Sequence, residues 1–161
     1  MTFVNGVTLP NLGSGAAFAI WSFRAIATGC RGCGVLQKSF QEMFPDDGPD
    51  ALRDMICFAR VLGSGGARRI VLSHAGCSRI TADELSIIAA LSSAQHSSET
   101  SCVAHLNWLM GGKNTETALV ETWRVANKFK AGGLAIDAPA IEISEPLKKI
   151  DAPVLSIVGN A

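Results

Sequence analysis

Thr81-Ala-Asp-Glu84 fixes the start of a helix, and that start constrains the rest of the chain. In a capping box the first hydroxyl accepts from the backbone N–H three residues on, and the acid there reaches back to the first residue's own N–H. Ala82, Leu85, Ile88, Ala89 and Leu91 then recur at helical spacing, which carries an apolar face on to about Gln95. Ahead of the box, the run from Arg69 to Ser73 predicts a short strand. A tight loop bearing His74 and Cys77 joins the two.

The same logic, applied along the chain, predicts six helices. Residues 1–14 read as an irregular arm, broken by Asn5, Gly6, Pro10 and Gly13. A first helix over 15–28, capped by Gly13 or Ser14, carries Arg24 as its only charge and should therefore be buried on most sides. Three glycines between Gly29 and Gly34 stop it. A second helix runs from about Val35 to Phe44, with Leu36 and Phe40 inward. Asp47 and Pro49 signal the start of a third, since proline at a first helical position forfeits nothing. Its core face is Leu52, Met55, Ile56, Ala59 and Leu62, and Gly63 to Gly66 end it. After the central helix, a fifth (98–110) aligns Cys102, His105, Leu106 and Leu109. A sixth (about 115–131) aligns Leu119, Trp123, Ala126 and Lys130. The expected fold is mainly α: a single-domain bundle of five to six helices with a minor β element at about 69–73 and two further β-like runs at 140–144 and 154–158. The helical domain with its N-terminal arm occupies 1–133. The rest, 134–161, is an extended tail packed on the domain or on a neighbour.

Charge decides which function classes are excluded. Charged residues make up only 17% of the 161 positions, against about 25% in an average globular chain. Fourteen Lys and Arg balance fourteen Asp and Glu, so the net charge is zero. Nucleic-acid binders normally carry a basic excess, because phosphate contacts dominate their affinity. No nucleic-acid partner is expected, and with no Tyr and few aromatics no base-stacking platform either. No apolar run reaches the roughly 18 residues needed to cross a bilayer, and the start of the chain lacks the basic and apolar regions of a secretory signal. The expectation is a cytoplasmic protein without membrane contact, its five cysteines reduced thiols.

The chemistry-bearing residues are few. Cys30-x-x-Cys33 lies in one Gly-rich turn and His74-x-x-Cys77 in another. Ligand pairs two residues apart on two loops are a common way to build a tetrahedral zinc site, and the same set would in principle hold iron. A redox role for Cys30 and Cys33 would need a preceding strand, and a helix precedes them instead. Cys102 and His105 share a helical face without an orienting acid or an oxyanion hole. An anion site at Arg79 and Thr81 would use the free N–H groups opening the central helix, where Asp83 and Glu84 compete for them. No Gly-rich phosphate loop and no G-x-S-x-G elbow is present, so no catalytic residue is assigned.

Two resemblances accompany these readings. From Ala17 to Gln95 the chain resembles a small family of uncharacterised alphaproteobacterial proteins, above all in Cys77-Ser-Arg79-Ile-Thr81-Ala-Asp-Glu84-Leu85. That run is similar to the family's cysteine loop followed by x-R-[hydrophobic]-T-x-x-E, although the family often carries more cysteine before the Arg. The resemblance implies no activity. Leu147 to Gly159 is similar to a late strand of α/β-hydrolases, but the chain ends before the acid that follows it there. The function expected is therefore a non-enzymatic homodimer with a structural or interaction role. The alternative is a metal protein, with zinc or iron held by Cys30, Cys33, His74 and Cys77. A weaker third reading is a small molecule bound between helices.

Overall fold

A computed structural model describes residues 1–140. It contains β1 (Phe3–Thr8), α1 (Ser14–Ala27), α2 (Gly34–Met43), α3 (Gly48–Ser64), β2 (Arg79–Thr81), α4 (Ala82–Gln95), α5 (Glu99–Met110) and α6 (Thr115–Ala131). The fold is mainly helical with one small sheet, and every helix begins and ends within about two residues of its expected bounds.

α4 is the central element. Ile87, Ile88, Ala90, Leu91 and Ala94 are buried along it, and it packs on α5, α6 and α1, leaving only a narrow stripe of Ala82, Ser86, Ala89 and Ser93 less covered. The second half of the core joins α3 to α6, α2 and α1. Phe18 of α1, Phe40 and Phe44 at α2, and Phe129 of α6 meet there, with ring centroids 4.9 Å apart for Phe18 and Phe40 and 5.2 Å for Phe44 and Phe129. α1 is buried on most sides, including its single charge. The inward stripe of α6 is Ala118, Thr122, Val125, Ala126 and Phe129; of the expected Leu119, Trp123, Ala126 and Lys130 only Ala126 lies on it, while Leu119 and Trp123 are partly buried and Lys130 is exposed.

The minor β element exists, but at other residues. Phe3–Thr8, expected as an irregular arm, pairs antiparallel with Arg79–Thr81. Arg69–Ser73, expected as a strand, has no strand partner. Its backbone bonds to side chains instead. The Val71 N–H donates to Asp83 Oδ2 (2.8 Å) and the Ser73 N–H to Glu84 Oε1 (3.0 Å). The Val71 carbonyl accepts from the Thr81 hydroxyl (2.8 Å). Carboxylates of the first turn of α4 thus do the work that a neighbouring strand would do.

Beyond α6, residues 134–140 have no regular secondary structure. Gln95 clamps their start: its Nε2 donates to the Leu134 carbonyl (3.0 Å), and its Oε1 accepts from the Ile136 N–H (2.7 Å). Ile136 is buried, and Gly15 lies so close that a Cβ there would stand 2.2 Å from the Ala135 carbonyl oxygen. The β-like runs expected at 140–144 and 154–158 lie outside the described residues, apart from Ala140. Among the described residues no helix is long and apolar enough to cross a membrane.

Candidate functional site

The expected cysteine and histidine set divides. Cys30 and Cys33 are joined in a disulfide rather than present as thiols. The break after α1 folds back so tightly that their Cα atoms are 5.3 Å apart, inside the range a disulfide spans. Cys33 is then the residue that caps α2. His74 is exposed, in a turn closed by the Cys77 N–H donating to its carbonyl (3.0 Å), and Cys77 is half-buried. Among the described residues no three His, Cys, Asp or Glu side chains gather as metal ligands would. A zinc or iron set drawn from these four requires a reduced Cys30–Cys33 pair, since a disulfide offers no thiolate.

Cys102 is held in a form that disfavours nucleophilic chemistry, because the thiolate is the nucleophile. Burial, with Glu99 nearby, pushes the Cys102 thiol up to about 11. Burial also lowers the pKa of His105.

The capping box is formed in both directions. The Thr81 hydroxyl accepts from the Glu84 N–H (3.1 Å), and Glu84 Oε2 accepts from the Thr81 N–H (2.9 Å). The anion at the start of α4 is thus the chain's own. Of the residues expected to hold a foreign one, Thr81 is engaged in the box and the Arg79 guanidinium lies over the Phe3 ring, 3.8 Å from its centroid.

Sequence reasoning missed what Glu84 faces. The Arg24 guanidinium meets it side by side, Nε to Oε1 at 2.6 Å and Nη2 to Oε2 at 2.9 Å, with both residues at most 1% exposed. The remaining Arg24 donors reach the carbonyls of Cys77 (2.6 Å) and Arg79 (2.9 Å). Ser73 adds its hydroxyl to the Arg79 carbonyl (2.9 Å). Beside this junction Arg68 pairs with Asp83, donates to the Trp108 carbonyl (2.7 Å) and lies 4.7 Å from the Trp108 ring centroid. A buried ion pair is sustained only when its spare donors and acceptors are also satisfied, which is the case here. The junction is full and leaves no room for a substrate. Its signal in the sequence was the single charge of α1, Arg24, together with the acids of the box that opens α4.

The open site lies between α2 and α3. Gly34, Gln37, Lys38 and Gln41 form one stripe along α2. Pro49, Leu52, Arg53, Ile56 and Arg60 form the facing stripe along α3. The two backbones approach most closely at Gly48, where a Cβ would stand 2.8 Å from Gln41 Cα. From there a groove of about 880 Å³ runs towards Arg31 and Arg60. That volume is typical of small-molecule sites. Ile56, expected in the core, is partly buried and faces this groove with Cys57.

The groove is positively charged. Arg31, Lys38, Arg53 and Arg60 line it, and no Asp or Glu does. Lys38 and Arg53 have carboxylates beside them, Glu42 at 3.9 Å for Lys38, and Asp50 at 3.0 Å and Asp54 at 4.0 Å for Arg53. Among the described residues neither Arg31 nor Arg60 has an ion-pair partner. The four cations come from the 30–33 turn and two separate helices, so no local run of sequence betrays them. No protein-family model, curated protein or solved structure matches this chain.

Proposed function

We propose that this domain is a non-enzymatic binding module that takes an anionic small molecule in the groove between α2 and α3. One observation carries the reading: two facing helical stripes surround about 880 Å³ with four cations and no acid. Arg pairs well with phosphate and carboxylate, because its planar fork donates two parallel hydrogen bonds. Leu52 and Ile56 supply apolar wall between the charges.

Titration calorimetry with inorganic pyrophosphate at low ionic strength tests this. The expected result is binding of one equivalent, weakened at least tenfold in Arg53→Ala/Arg60→Ala. Absence of binding at millimolar pyrophosphate, or equal binding to the variant, would reject the groove as an anion site.

The expected homodimer has a different observation in its favour. Val35, Trp108 and Val120 are each at least half exposed, at 68%, 58% and 50%. Light scattering across a hundredfold range of concentration decides it, and a constant monomer mass would end that reading.

A further inference from the structure

A second recess, of about 320 Å³, adjoins the groove and shares two of its lining residues, Arg31 and Arg60. Its character differs. Phe23 and Ile26 of α1, Ala59 of α3, and Ile70 and Leu72 of the segment before β2 give it mainly apolar walls. Arg69 stands at its edge, and among the described residues it too lacks an ion-pair partner.

The placement of Ile70 and Leu72 follows from the buried junction. The N–H groups of Val71 and Ser73 are pinned by Asp83 and Glu84. Those bonds hold the segment beside the first turn of α4, and Ile70 and Leu72, which flank Val71, both line the recess.

Two unpaired guanidiniums thus stand where a basic groove meets an apolar pocket. We infer that the ligand is an anionic amphiphile: a phosphate or carboxylate head between Arg31 and Arg60, and a short apolar chain or ring in the recess against Phe23, Ile26, Ile70 and Leu72. This rests on the groove being an anion site, and it adds the chemistry of the other end of the molecule. Burying apolar ligand surface is favourable in proportion to area, so the apolar part must raise affinity over the bare head.

The test compares methyl phosphate with decyl phosphate, held below its micelle concentration, by calorimetry on the full chain. Decyl phosphate is expected to bind at least tenfold more tightly. Arg60→Ala should weaken both ligands. Ala27→Trp places a large ring at an exposed position lining the recess, and should remove the decyl advantage while methyl phosphate binds as before. Ile70→Asn should do the same from the opposite wall, and serves if Ala27→Trp alters folding. Equal affinity for the two phosphates would overturn the amphiphile and leave the groove reading standing. An advantage untouched by both wall variants would also overturn it. Failure of both phosphates and of pyrophosphate to bind would remove the groove reading as well.

Discussion

The junction before α4 and the groove between α2 and α3 hold arginines in opposite circumstances. At the junction the backbone from Gly65 to Ser78 is irregular, yet Arg24 is buried and four backbone groups bond to the Arg24–Glu84 pair. In the groove the backbone of α2 and α3 is regular helix, and Arg60 of α3 is exposed without an ion-pair partner among the described residues. Regular structure satisfies its own backbone and leaves side chains free to face a ligand. Irregular structure must borrow side chains to satisfy its backbone, which uses up the charge there. At these two places, charge that the irregular segment draws in serves architecture, and charge that the helix faces leave unpaired is open to a ligand.

The largest effect is expected at the junction. Arg24→Met strands the Glu84 carboxylate in the core and should cost about 3–5 kcal/mol in urea denaturation, as for other broken buried pairs. Substituting both partners, Arg24→Met with Glu84→Leu, does not restore the molecule. Glu84 also accepts from Ser73 and Thr81, and those N–H groups would be left without their partner. A loss under about 1 kcal/mol for Arg24→Met would break the comparison, since the pair would then be no more than an exposed one. Thr81→Val removes the cap and the bond to the Val71 carbonyl together, and should cost about 2–3 kcal/mol. If it costs only a few tenths, the segment before β2 is held by something other than this junction.

On the other side, reducing Cys30–Cys33 opens a loop of sequence separation 3, for which chain entropy gives no more than about 2 kcal/mol. Thiol counting checks the starting state. Unreduced protein in denaturant should show three reactive thiols, Cys57, Cys77 and Cys102. In native protein near neutral pH Cys102 should be protected, being fully buried with its pKa pushed up to about 11. Five thiols in denaturant would mean that the pair is reduced and free to ligate a metal. Smaller still, Arg53→Ala or Arg60→Ala should change stability by less than about 0.5 kcal/mol, as exposed substitutions usually do. A large loss there would turn the groove cations into structural ones.

The helices were legible because their ends are written locally. Gly29 to Gly34, Pro45 to Pro49, Gly111-Gly112 and Thr81 with Glu84 each act within a few residues of themselves. The sites were not legible, because each joins distant segments. Arg24 and Glu84 are 60 residues apart, and nothing local to either names the other. Ile70-Val71-Leu72 has a strand's composition, but a strand needs a neighbour, and the first turn of α4 took the neighbour's place. Ile56 sits at core spacing on α3, yet it is only partly buried and lines the groove, since spacing along one helix does not tell how closely a neighbour covers it. The expectation of reduced thiols rests on compartment, which says nothing of the 5.3 Å between Cα atoms across the single turn from Cys30 to Cys33.

The half-buried pair of Asp47 and Lys128 supplies the mildest test, because it joins elements as the junction does while staying in reach of solvent as the groove does. Asp47 sits before α3 as its cap residue, but its side chain makes no cap bond and reaches Lys128 near the end of α6 instead. That hydrogen bond, the largest influence on either group, lowers the Asp47 pKa from 3.8 and raises that of Lys128 from 10.5. A depressed carboxylate gives stability that is present above its unfolded pKa and lost as pH falls through the folded one. A raised ammonium gives stability that is present below its unfolded pKa and lost as pH rises through the folded one. The pair therefore acts between about 3.8 and 10.5 and fades outside that window. Asp47→Asn should melt slightly below the wild type across it, and the gap should close at about pH 2 and shrink in about 1 M salt, where exposed charges are screened. A gap that persists in both conditions would place this pair with Arg24 and Glu84, and exposure would no longer separate the two kinds of charge.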